Sequence, residues 1–194
     1  CPGQGSQTPG FLSPWLELPG LRDQLTGLSD AAEVDLVTHG TTSDEETIKD
    51  TAVAQPLLVG AGLLALRALG GGTTVTDAVP QSGAIAGHSV GEITAAVGSG
   101  VLTAEQAMVF VRERGRAMAD AAALTPTGMS AVLGGDPDTV VDVAIKHGLT
   151  PANMNSAGQI VVARTLDQLA AFAADPPEGS RVRPLEVAGA FHTS

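Results

Sequence analysis

Cysteine and basic side chains are scarce in this sequence, and both scarcities exclude classes of protein. Of the 194 residues only Cys1 is a cysteine, so no internal disulfide can form and nothing indicates an oxidising compartment. Ten lysines and arginines face 21 acidic residues, which leaves a formal net charge of −11. Because nucleic-acid binding needs clustered basic side chains, this balance argues against a nucleic-acid partner.

Histidines and uninterrupted apolar runs are also few. Four scattered histidines and one thiol do not indicate a metal site. The longest apolar stretch, residues 53–69, is interrupted by Gln55, Pro56 and Arg67, which favours a buried helix over a bilayer-spanning one. No basic segment followed by an apolar run opens the chain, so no secretory signal is visible. These features predict a soluble, cytoplasmic protein without a membrane partner.

The residues that are present suffice for one large core, or for a core with a small appended subdomain, since 43% are hydrophobic. Residues 83–87 (GAIAG) form a short apolar run typical of a buried strand in a parallel sheet. A helix is predicted to begin directly after this run and to end at the glycines of residues 98–100. Thr103 and Gln106 have the spacing of a capping box and predict a long helix over residues 104–123.

From residue 128 the pattern changes to short strands and helices in the order β-α-β-β-α-β, which is typical of a ferredoxin-like unit. Its last strand is expected to extend through residue 189. We therefore predict three segments. They are a first part of a large α/β catalytic subdomain at residues 1–126, a ferredoxin-like small subdomain at residues 127–188, and a return to the large subdomain at residues 189–194.

The pentapeptide Gly87-His88-Ser89-Val90-Gly91 fits the pattern G-x-S-x-G between a predicted strand and a predicted helix. A sharp strand-to-helix turn lifts a serine hydroxyl clear of the backbone, and the flanking glycines avoid Cβ clashes there. The helix N-terminus would present free N–H groups to a developing oxyanion. Ser89 is therefore the candidate nucleophile. The alternative is a glycine-rich turn in which Ser89 only caps the helix.

A serine nucleophile needs a base, and the four histidines are the candidates. His88 is adjacent to Ser89 and would point away from its side chain at a sharp turn. His39 and His147 each lie beside a glycine in polar surroundings typical of surface histidines. His192 follows the apolar segment VAGAF, which we interpret as a strand, at the end where α/β proteins build their sites. His192 is the predicted base, and this assignment depends on that of Ser89.

Three arginines occupy alternate positions of the predicted helix, within MVFVRERGRAM. On a helical wheel Arg114 falls at the centre of the apolar face, whereas Arg112 and Arg116 fall on the opposite, solvated side. A guanidinium cannot lose its proton, so its burial is costly unless an anion meets it. That anion is either a protein acid such as Glu92 or the carboxylate of an acyl group near Ser89. The third alternative is that only the aliphatic part of Arg114 is buried and its guanidinium reaches solvent. The predicted apolar face consists of Ala107, Met108, Phe110, Val111, Ala117, Met118, Ala121 and Ala122.

Five motifs in fixed order resemble the malonyl-CoA:acyl carrier protein transacylase family, and they look most like its actinobacterial type. Five ordered motifs over the whole chain are far more specific than G-x-S-x-G alone. The resemblance implies an α/β fold with an α/β-hydrolase-like large domain, incomplete in this chain, and an inserted ferredoxin-like subdomain. The motifs are PGQGSQ at residues 2–7, AGHSVGE at 86–92, RG at 114–115, NMNSAGQIVVA at 153–163 and GAFHT at 189–193.

The resemblance also implies a two-step exchange. Ser89, with His192 as general base, takes malonyl from malonyl-CoA as an ester and passes it to the phosphopantetheine thiol of acyl carrier protein. Gln4 and Val90 match the backbone N–H donors of the oxyanion hole, and Arg114 matches the clamp on the malonyl carboxylate. No cofactor is implied beyond the coenzyme A thioester that serves as substrate, and we expect a monomer.

Further positions concern the substrate and the extent of the chain. Asn155 matches a residue that lines the acyl or coenzyme channel, although it also suits a tight turn before Gly158. Phe191 matches a bulky residue that crowds a branched acyl carbon, and Val90 stands where methylmalonyl-selective relatives often have glutamine, so both favour malonyl. Family members continue well beyond His192, so we expect a fragment that is poorly stable and weakly active alone.

Two other functions are compatible with the motifs. A serine hydrolase or thioesterase of the α/β-hydrolase type needs the same nucleophile and base, and Arg114 is the feature that separates it from a malonyl transferase. A non-catalytic module that binds carrier protein predicts instead that Ser89→Ala changes nothing. Because the net charge is acidic, either coenzyme A or an acidic carrier protein would need local basic residues for steering. The candidates are Arg112, Arg116, Arg181 and Arg183.

Overall fold

A computed structural model describes residues 1–71, 75–76, 83–156 and 158–193. The chain divides into two compact units, Cys1–Ala117 and Met118–Ser194. Helices make up the described secondary structure of the first unit, and a four-stranded sheet with helices makes up that of the second. The chain therefore has mixed α/β content, as predicted.

Aspartates cap three successive helices of the first unit. Asp35 and Asp44 each accept a hydrogen bond from the backbone N–H three residues later, and Asp50 accepts one from the N–H two residues later. Such N-caps satisfy N–H groups that the first helical turn leaves unpaired. After a 3-10 turn at Trp15–Glu17, the helices are α1 at Leu21–Ala32, α2 at Leu36–Thr41, α3 at Glu45–Lys49 and α4 at Thr51–Leu69.

Helix α4 lies in the core of the first unit and confirms the predicted buried helix at residues 53–69. By length and composition it qualifies as a membrane-spanning helix, contrary to our expectation from its interruptions, with a mean hydropathy of 1.7. However, 56% of that apolar window is buried within the protein. Leu57, Leu63 and Leu64 of α4 are fully buried in one hydrophobic cluster with Leu25 of α1.

The next two helices are close to their predicted bounds, although the first begins at Gly91, three residues later than predicted. Helix α5 covers Gly91–Gly98, and helix α6 covers Ala104–Leu124. At the start of α6, Thr103 Oγ1 accepts from the Gln106 N–H at 3.1 Å, and Gln106 Oε1 accepts from the Thr103 N–H at 3.0 Å. This reciprocal pair is the capping box expected from the spacing.

The predicted apolar face of α6 is only partly right. Ala107, Met108 and Val111 are buried, but Phe110 is 54% exposed. The buried face is centred nearer to Gly115, rotated by roughly 60° from the prediction. Gly115 lies there because α4 approaches closely, and a Cβ atom at this position would meet a backbone carbonyl of α4 at 3.2 Å. Arg114 therefore lies at the edge of the buried face and is half-buried.

The predicted strand at residues 83–87 is wrong, because no described residue of the first unit belongs to a strand. The backbone there pairs with Cys1 alone among the described residues. The backbone nitrogen of Cys1 donates to the Ala86 carbonyl at 2.7 Å, and the Cys1 carbonyl accepts from the His88 N–H at 3.0 Å. Two bonds through a single residue resemble one step of a parallel ladder but do not make a strand.

The second unit has the predicted element order β-α-β-β-α-β. Its strands lie in the order β2-β3-β1-β4, and each neighbouring pair is antiparallel. Side chains alternate between the two faces of the sheet, and one face packs on both helices through a cluster that includes Val132 and Phe172. The elements are β1 at Thr127–Gly134, α7 at Pro137–Lys146, β2 at Thr150–Ser156, β3 at Gln159–Thr165, α8 at Leu166–Ala174 and β4 at Ser180–Pro184.

Strand β4 ends at Pro184, so the predicted strand through residue 189 is too long. The Leu185 N–H still donates to the Met129 carbonyl at 2.9 Å, but the Val187 N–H turns back to the Leu185 carbonyl at 3.0 Å. Consequently the prediction that His192 follows a strand is also wrong.

The ends of the predicted subdomains stay predictions. The second compact unit begins at Met118, before the predicted start at residue 127. It also includes the described residues after 188, where the Ala190 N–H donates to Thr127 Oγ1 at 2.9 Å.

Candidate active site

Ser89 lies in the sharp turn that the G-x-S-x-G pattern predicts. Its φ is +53°, a left-handed conformation that is uncommon for a residue with a Cβ atom and typical of functional turns. Helix α5 begins two residues later, and the His88 and Ser89 carbonyls accept from the N–H groups of Gly91 and Glu92, both at 3.0 Å. The turn therefore places the serine directly before a helix N-terminus.

Three glycines permit this turn because backbone approaches it closely. A Cβ atom on Gly87 would meet the backbone of Gly91 at 2.1 Å, and one on Gly91 would meet the carbonyl oxygen of Cys1 at 2.2 Å. A Cβ atom on Gly3 would meet the carbonyl oxygen of His88 at 2.9 Å. Only glycine fits at these positions, so the first motif lies against the serine turn.

Arg114 reaches the serine from α6. Its Nη2 atom lies 3.4 Å from Ser89 Oγ, and its Nη1 atom donates to Gln55 Oε1. The alternative of an ion pair with Glu92 is not formed, and no other carboxylate of a described residue lies within ion-pairing distance of this guanidinium. Burial lowers the pKa of Arg114, and the negative charge of Glu92 offsets part of this decrease. A guanidinium keeps its proton in spite of such a decrease. A positive charge therefore stands beside the candidate nucleophile.

Gln55 donates to Gln4 and accepts from Arg114, and it is a site residue that was not predicted from the sequence. It lies on α4 with 1% of its surface exposed, and its Nε2 donates to Gln4 Oε1 at 2.8 Å. A signal was available, because Gln55 interrupts an apolar run and a buried amide needs hydrogen-bond partners. The result is a continuous polar chain from Gln4 through Gln55 and Arg114 to Ser89.

Gln4 and Val90 are the predicted oxyanion-hole residues, each through its backbone N–H. Neither N–H donates to another residue within the described parts of the chain. Val90 is fully buried directly before α5, and the side chain of Gln4 is tied to Gln55. Free N–H groups at a helix N-terminus can stabilise a developing negative charge.

The remaining predicted site residues lie in the second unit. His192 is exposed and has a φ of +59°. Phe191 is half-buried and packs against a cluster that includes Met129 and Val161. The pairing of His192 with Ser89 and the role of Phe191 in the acyl pocket stay predictions.

Asn155 is exposed on β2, so the alternative of a turn residue does not hold for it. Its Nδ2 donates to Gln159 Oε1 at 3.0 Å, across the hairpin between β2 and β3. Its predicted role in the acyl or coenzyme channel stays a prediction. In the described ranges no group of three or more His, Cys, Asp or Glu side chains could hold a metal ion.

The outer arginines of α6 are ion-paired, so the expectation of ordinary solvated charge is wrong for Arg112. Arg112 contacts the carboxylates of Glu33 at 2.6 Å and Glu113 at 2.8 Å, and only 17% of its side chain is exposed. Arg116 contacts Glu33 at 3.0 Å. These two residues are therefore poor candidates for steering an anionic partner.

Arg181 and Arg183, the other steering candidates, are exposed on β4. Because they are two residues apart on one strand, their side chains lie on the same face of the sheet. This is the face opposite α7 and α8, since Val182 between them belongs to the cluster that packs on those helices. Within the described residues, neither guanidinium has an ion-pair partner.

Known proteins are similar to this chain over its whole length. The acyl transferase domain family matches residues 1–194. The malonyl CoA-acyl carrier protein transacylase of Mycobacterium bovis is 53% identical over 193 residues, which cover 100% of this chain and 63% of that protein. The chain thus spans about 63% of the length of the curated relatives it matches.

Two solved structures are also similar. The crystal structure of the MCAT from Mycobacterium tuberculosis has a TM-score of 0.91 at 52% identity, over 99% of this chain and 63% of that one. A structure of a type II PKS acyl-carrier protein in complex with its malonyl-transacylase gives a TM-score of 0.80 at 28% identity. That match covers 97% of this chain and 62% of the other.

Proposed function

Since the chain belongs to the acyl transferase domain family, we propose that it transfers malonyl from coenzyme A to the thiol of acyl carrier protein. The observation that carries this proposal is the guanidinium of Arg114, which lies 3.4 Å from Ser89 Oγ without a carboxylate partner among the described residues. A fixed cation beside a nucleophile favours an acyl group that itself ends in a carboxylate. Malonyl-CoA has a thioester and a carboxylate on either side of one carbon atom.

In the proposed first step, Ser89 Oγ attacks the thioester carbonyl of malonyl-CoA while His192 accepts the hydroxyl proton. The backbone N–H groups of Gln4 and Val90 stabilise the oxyanion of the tetrahedral intermediate. The carbon–sulfur bond then breaks, and coenzyme A leaves as a thiol that takes the proton from His192. The malonyl group remains on Ser89 as an ester, and Arg114 binds its carboxylate.

The second step reverses the first with another thiol. The phosphopantetheine thiol of acyl carrier protein gives its proton to His192 and attacks the ester on Ser89. The carbon–oxygen bond breaks, and Ser89 recovers its proton from His192. No cofactor takes part in this scheme, because both thiols enter as substrates.

We also propose the finer architecture and setting. The order β-α-β-β-α-β and the antiparallel strand order support a ferredoxin-like subdomain at residues 127–188. The turn at Ser89 supports an α/β-hydrolase-like large domain for residues 1–126 and 189–194. A single cysteine is compatible with a cytoplasmic protein, which we propose acts as a monomer without nucleic-acid or membrane partners.

The acyl pocket and the carrier-protein surface follow from the same scheme. Phe191 and Val90 would crowd a branched acyl carbon and so favour malonyl over methylmalonyl, and Asn155 would line the channel. We assign Arg181 and Arg183 to the docking of an acidic carrier protein, since they are exposed on one face of the sheet without partners among the described residues.

A serine hydrolase is the second candidate, because the turn at Ser89 serves hydrolysis as well as transfer. Intact-mass analysis after addition of malonyl-CoA separates the two. We expect a malonyl adduct that persists in water and disappears when acyl carrier protein is added. Rapid loss of the adduct to water alone would favour the hydrolase.

Two serine variants assign the adduct. Ser89→Ala should form none, whereas Ser99→Ala, at the other end of α5, should form as much as the parent protein. An adduct that survives Ser89→Ala contradicts the proposed nucleophile. Carrier-protein binding without any adduct would favour the non-catalytic module.

A further inference from the structure

Gln55 meets Arg114 with an uncharged group where a carboxylate is the ordinary partner. The amide is 1% exposed on α4, and its Oε1 accepts from Nη1 of Arg114. A guanidinium can only donate hydrogen bonds, so Gln55 must turn its oxygen toward Arg114 and its NH₂ group toward Gln4. Arg114 is the one side chain of this polar chain that cannot accept a hydrogen bond, and it therefore sets the direction of the other hydrogen bonds.

An amide partner has a different electrostatic effect from a carboxylate partner. Both accept a hydrogen bond and fix the direction of the guanidinium, but only the carboxylate cancels its charge. Arg112 on the same helix shows the second arrangement, with Glu33 and Glu113 at 2.6 and 2.8 Å. Gln55 thus orients Arg114 and leaves its positive charge directed toward Ser89.

We infer that Gln55 determines acyl specificity: it is a positioning residue that aims Arg114 at Ser89 and, by being neutral, keeps the guanidinium charge available for the carboxylate of the acyl group. This inference rests on the proposed function and names the residue that makes its selectivity possible. The same amide also ties down Gln4 at 2.8 Å, so it links the carboxylate clamp to a predicted oxyanion donor.

Gln55→Glu tests the charge with little change of shape. The new carboxylate can accept from Arg114 as the amide oxygen does, and the amide of Gln4 can rotate to offer its NH₂ group instead of its oxygen. The geometry is preserved while the positive charge is cancelled inside the protein. We expect the ratio of acylation efficiencies of Ser89 by malonyl-CoA and acetyl-CoA to fall on the order of 10- to 100-fold, as expected for the loss of a charge-assisted contact.

Two further variants separate charge from orientation and from folding. Gln55→Met has a similar volume but neither accepts from Arg114 nor donates to Gln4. The positive charge of Arg114 therefore remains, but the guanidinium is no longer held toward Ser89. We expect the ratio of malonyl to acetyl acylation to fall less in Gln55→Met than in Gln55→Glu. Gln106→Glu adds the same charge on an exposed position of α6 and keeps the hydrogen bond to the Thr103 N–H, so its ratio should be unchanged.

A binding measurement makes the inference independent of catalysis. In the Ser89→Ala background no acyl transfer occurs, and the dissociation constants of malonyl-CoA and acetyl-CoA can be compared directly. Gln55→Glu should weaken malonyl-CoA binding by a similar factor and leave acetyl-CoA binding within about twofold, because acetyl has no carboxylate for Arg114 to meet.

The outcomes distinguish this inference from the proposed function. If the parent protein forms no malonyl adduct, the proposed function fails, and the binding comparison still decides the role of Gln55. An unchanged ratio in Gln55→Glu overturns the inference, as does an equal loss for both thioesters, which indicates a structural role only. Should Gln55→Glu fail to fold by circular dichroism, an unchanged ratio in Gln55→Met overturns it instead.

Discussion

The inner and outer sides of α6 hold the same kind of side chain in opposite ways. On the outer side, Arg112 donates to the carboxylates of Glu33 and Glu113. On the inner side, Arg114 donates to the amide of Gln55. The outer charge is cancelled by contacting carboxylates and links two parts of the first unit, whereas the inner charge is oriented by an amide and contacts no carboxylate of a described residue. The partner, and not the arginine, decides whether the cation is structural or available to a ligand.

Replacing the inner arginine should produce the largest effect. In Arg114→Ala the malonyl carboxylate loses a bidentate, charge-assisted partner, so we expect acylation of Ser89 by malonyl-CoA to slow by about 100-fold or more. Acylation by acetyl-CoA should change by only a few-fold. Stopped-flow or quenched single-turnover acylation with each thioester measures both rates. Equal losses for the two thioesters would show that Arg114 supports the fold rather than the substrate.

Arg181 and Arg183, which are exposed and have no ion-pair partner among the described residues, extend the comparison to the second unit. Because Arg181 and Arg183 lie on one face of β4, charge reversal of both to glutamate should repel an acidic carrier protein. We expect the KM for carrier protein to rise about 10-fold at low salt, with the difference shrinking as ionic strength increases. Acylation by malonyl-CoA in the absence of carrier protein should be unchanged. A change in that first step would contradict a docking role.

The hydrogen bond between Gln55 and Arg114 also depends on how closely α4 and α6 approach each other. The ion pairs of Arg112 do not depend on this approach. A Cβ atom on Gly115 would meet Thr51 O at 3.2 Å and Gln55 Cβ at 3.4 Å. Gly115→Ala should therefore move the start of α4, the helix that carries Gln55, by a few tenths of an ångström and lower malonyl acylation several-fold. Gly27→Ala on α1, where a Cβ atom meets nothing within 4 Å, is the matched control and should leave acylation unchanged. Equal acylation by both variants would show that the network tolerates the shift.

Local chemistry explains which parts of this site could be predicted from the sequence. The turn at Ser89 and the capping box at Thr103 depend on residues within a few positions of each other, and both are confirmed. The strand at residues 83–87 needed a partner ladder that its own residues do not specify, and that prediction is wrong. The prediction that His192 follows a strand is also wrong, because the strand before it ends at Pro184.

The inner face of α6 shows a different limit. A helical wheel gave the correct helix and placed Arg114 inward, but it weighted every apolar side chain equally and so centred the face on the wrong residues. Packing against α4 is closest at Gly115, a residue that a hydrophobicity pattern ignores. Gln55 was missed for a related reason, because it lies 59 positions from Arg114 in the sequence. Only the contact between two helices reveals its role.

Breaking the outer network should affect stability and leave acylation alone. In Arg112→Gln the carboxylates of Glu33 and Glu113 lose a partner, and we expect the free energy of unfolding to fall by about 0.5–1 kcal/mol, since such partly exposed pairs contribute little. A double-mutant cycle with Glu33→Gln, read from urea unfolding midpoints, isolates the pair. A change in the ratio of malonyl to acetyl acylation would contradict the separation of the two sides of α6.

Carboxylates can also be held without any cation, and this case should give the smallest effect. Asp136 caps α7, and hydrogen bonds from the Thr139 N–H at 2.9 Å and the Thr139 hydroxyl at 2.8 Å lower its pKa below its ordinary value of 3.8. A carboxyl group whose pKa is lower in the folded state stabilises the fold above its ordinary, unfolded pKa, and this contribution is lost as the pH falls through the folded pKa. Asp136→Asn keeps an N-cap acceptor but removes the charge. The parent protein should therefore unfold at slightly higher urea than the variant at pH 7 and 5, and the difference should shrink below about pH 4. A difference that instead grows in acid would reverse the sign and show that the charge of Asp136 destabilises the helix it caps.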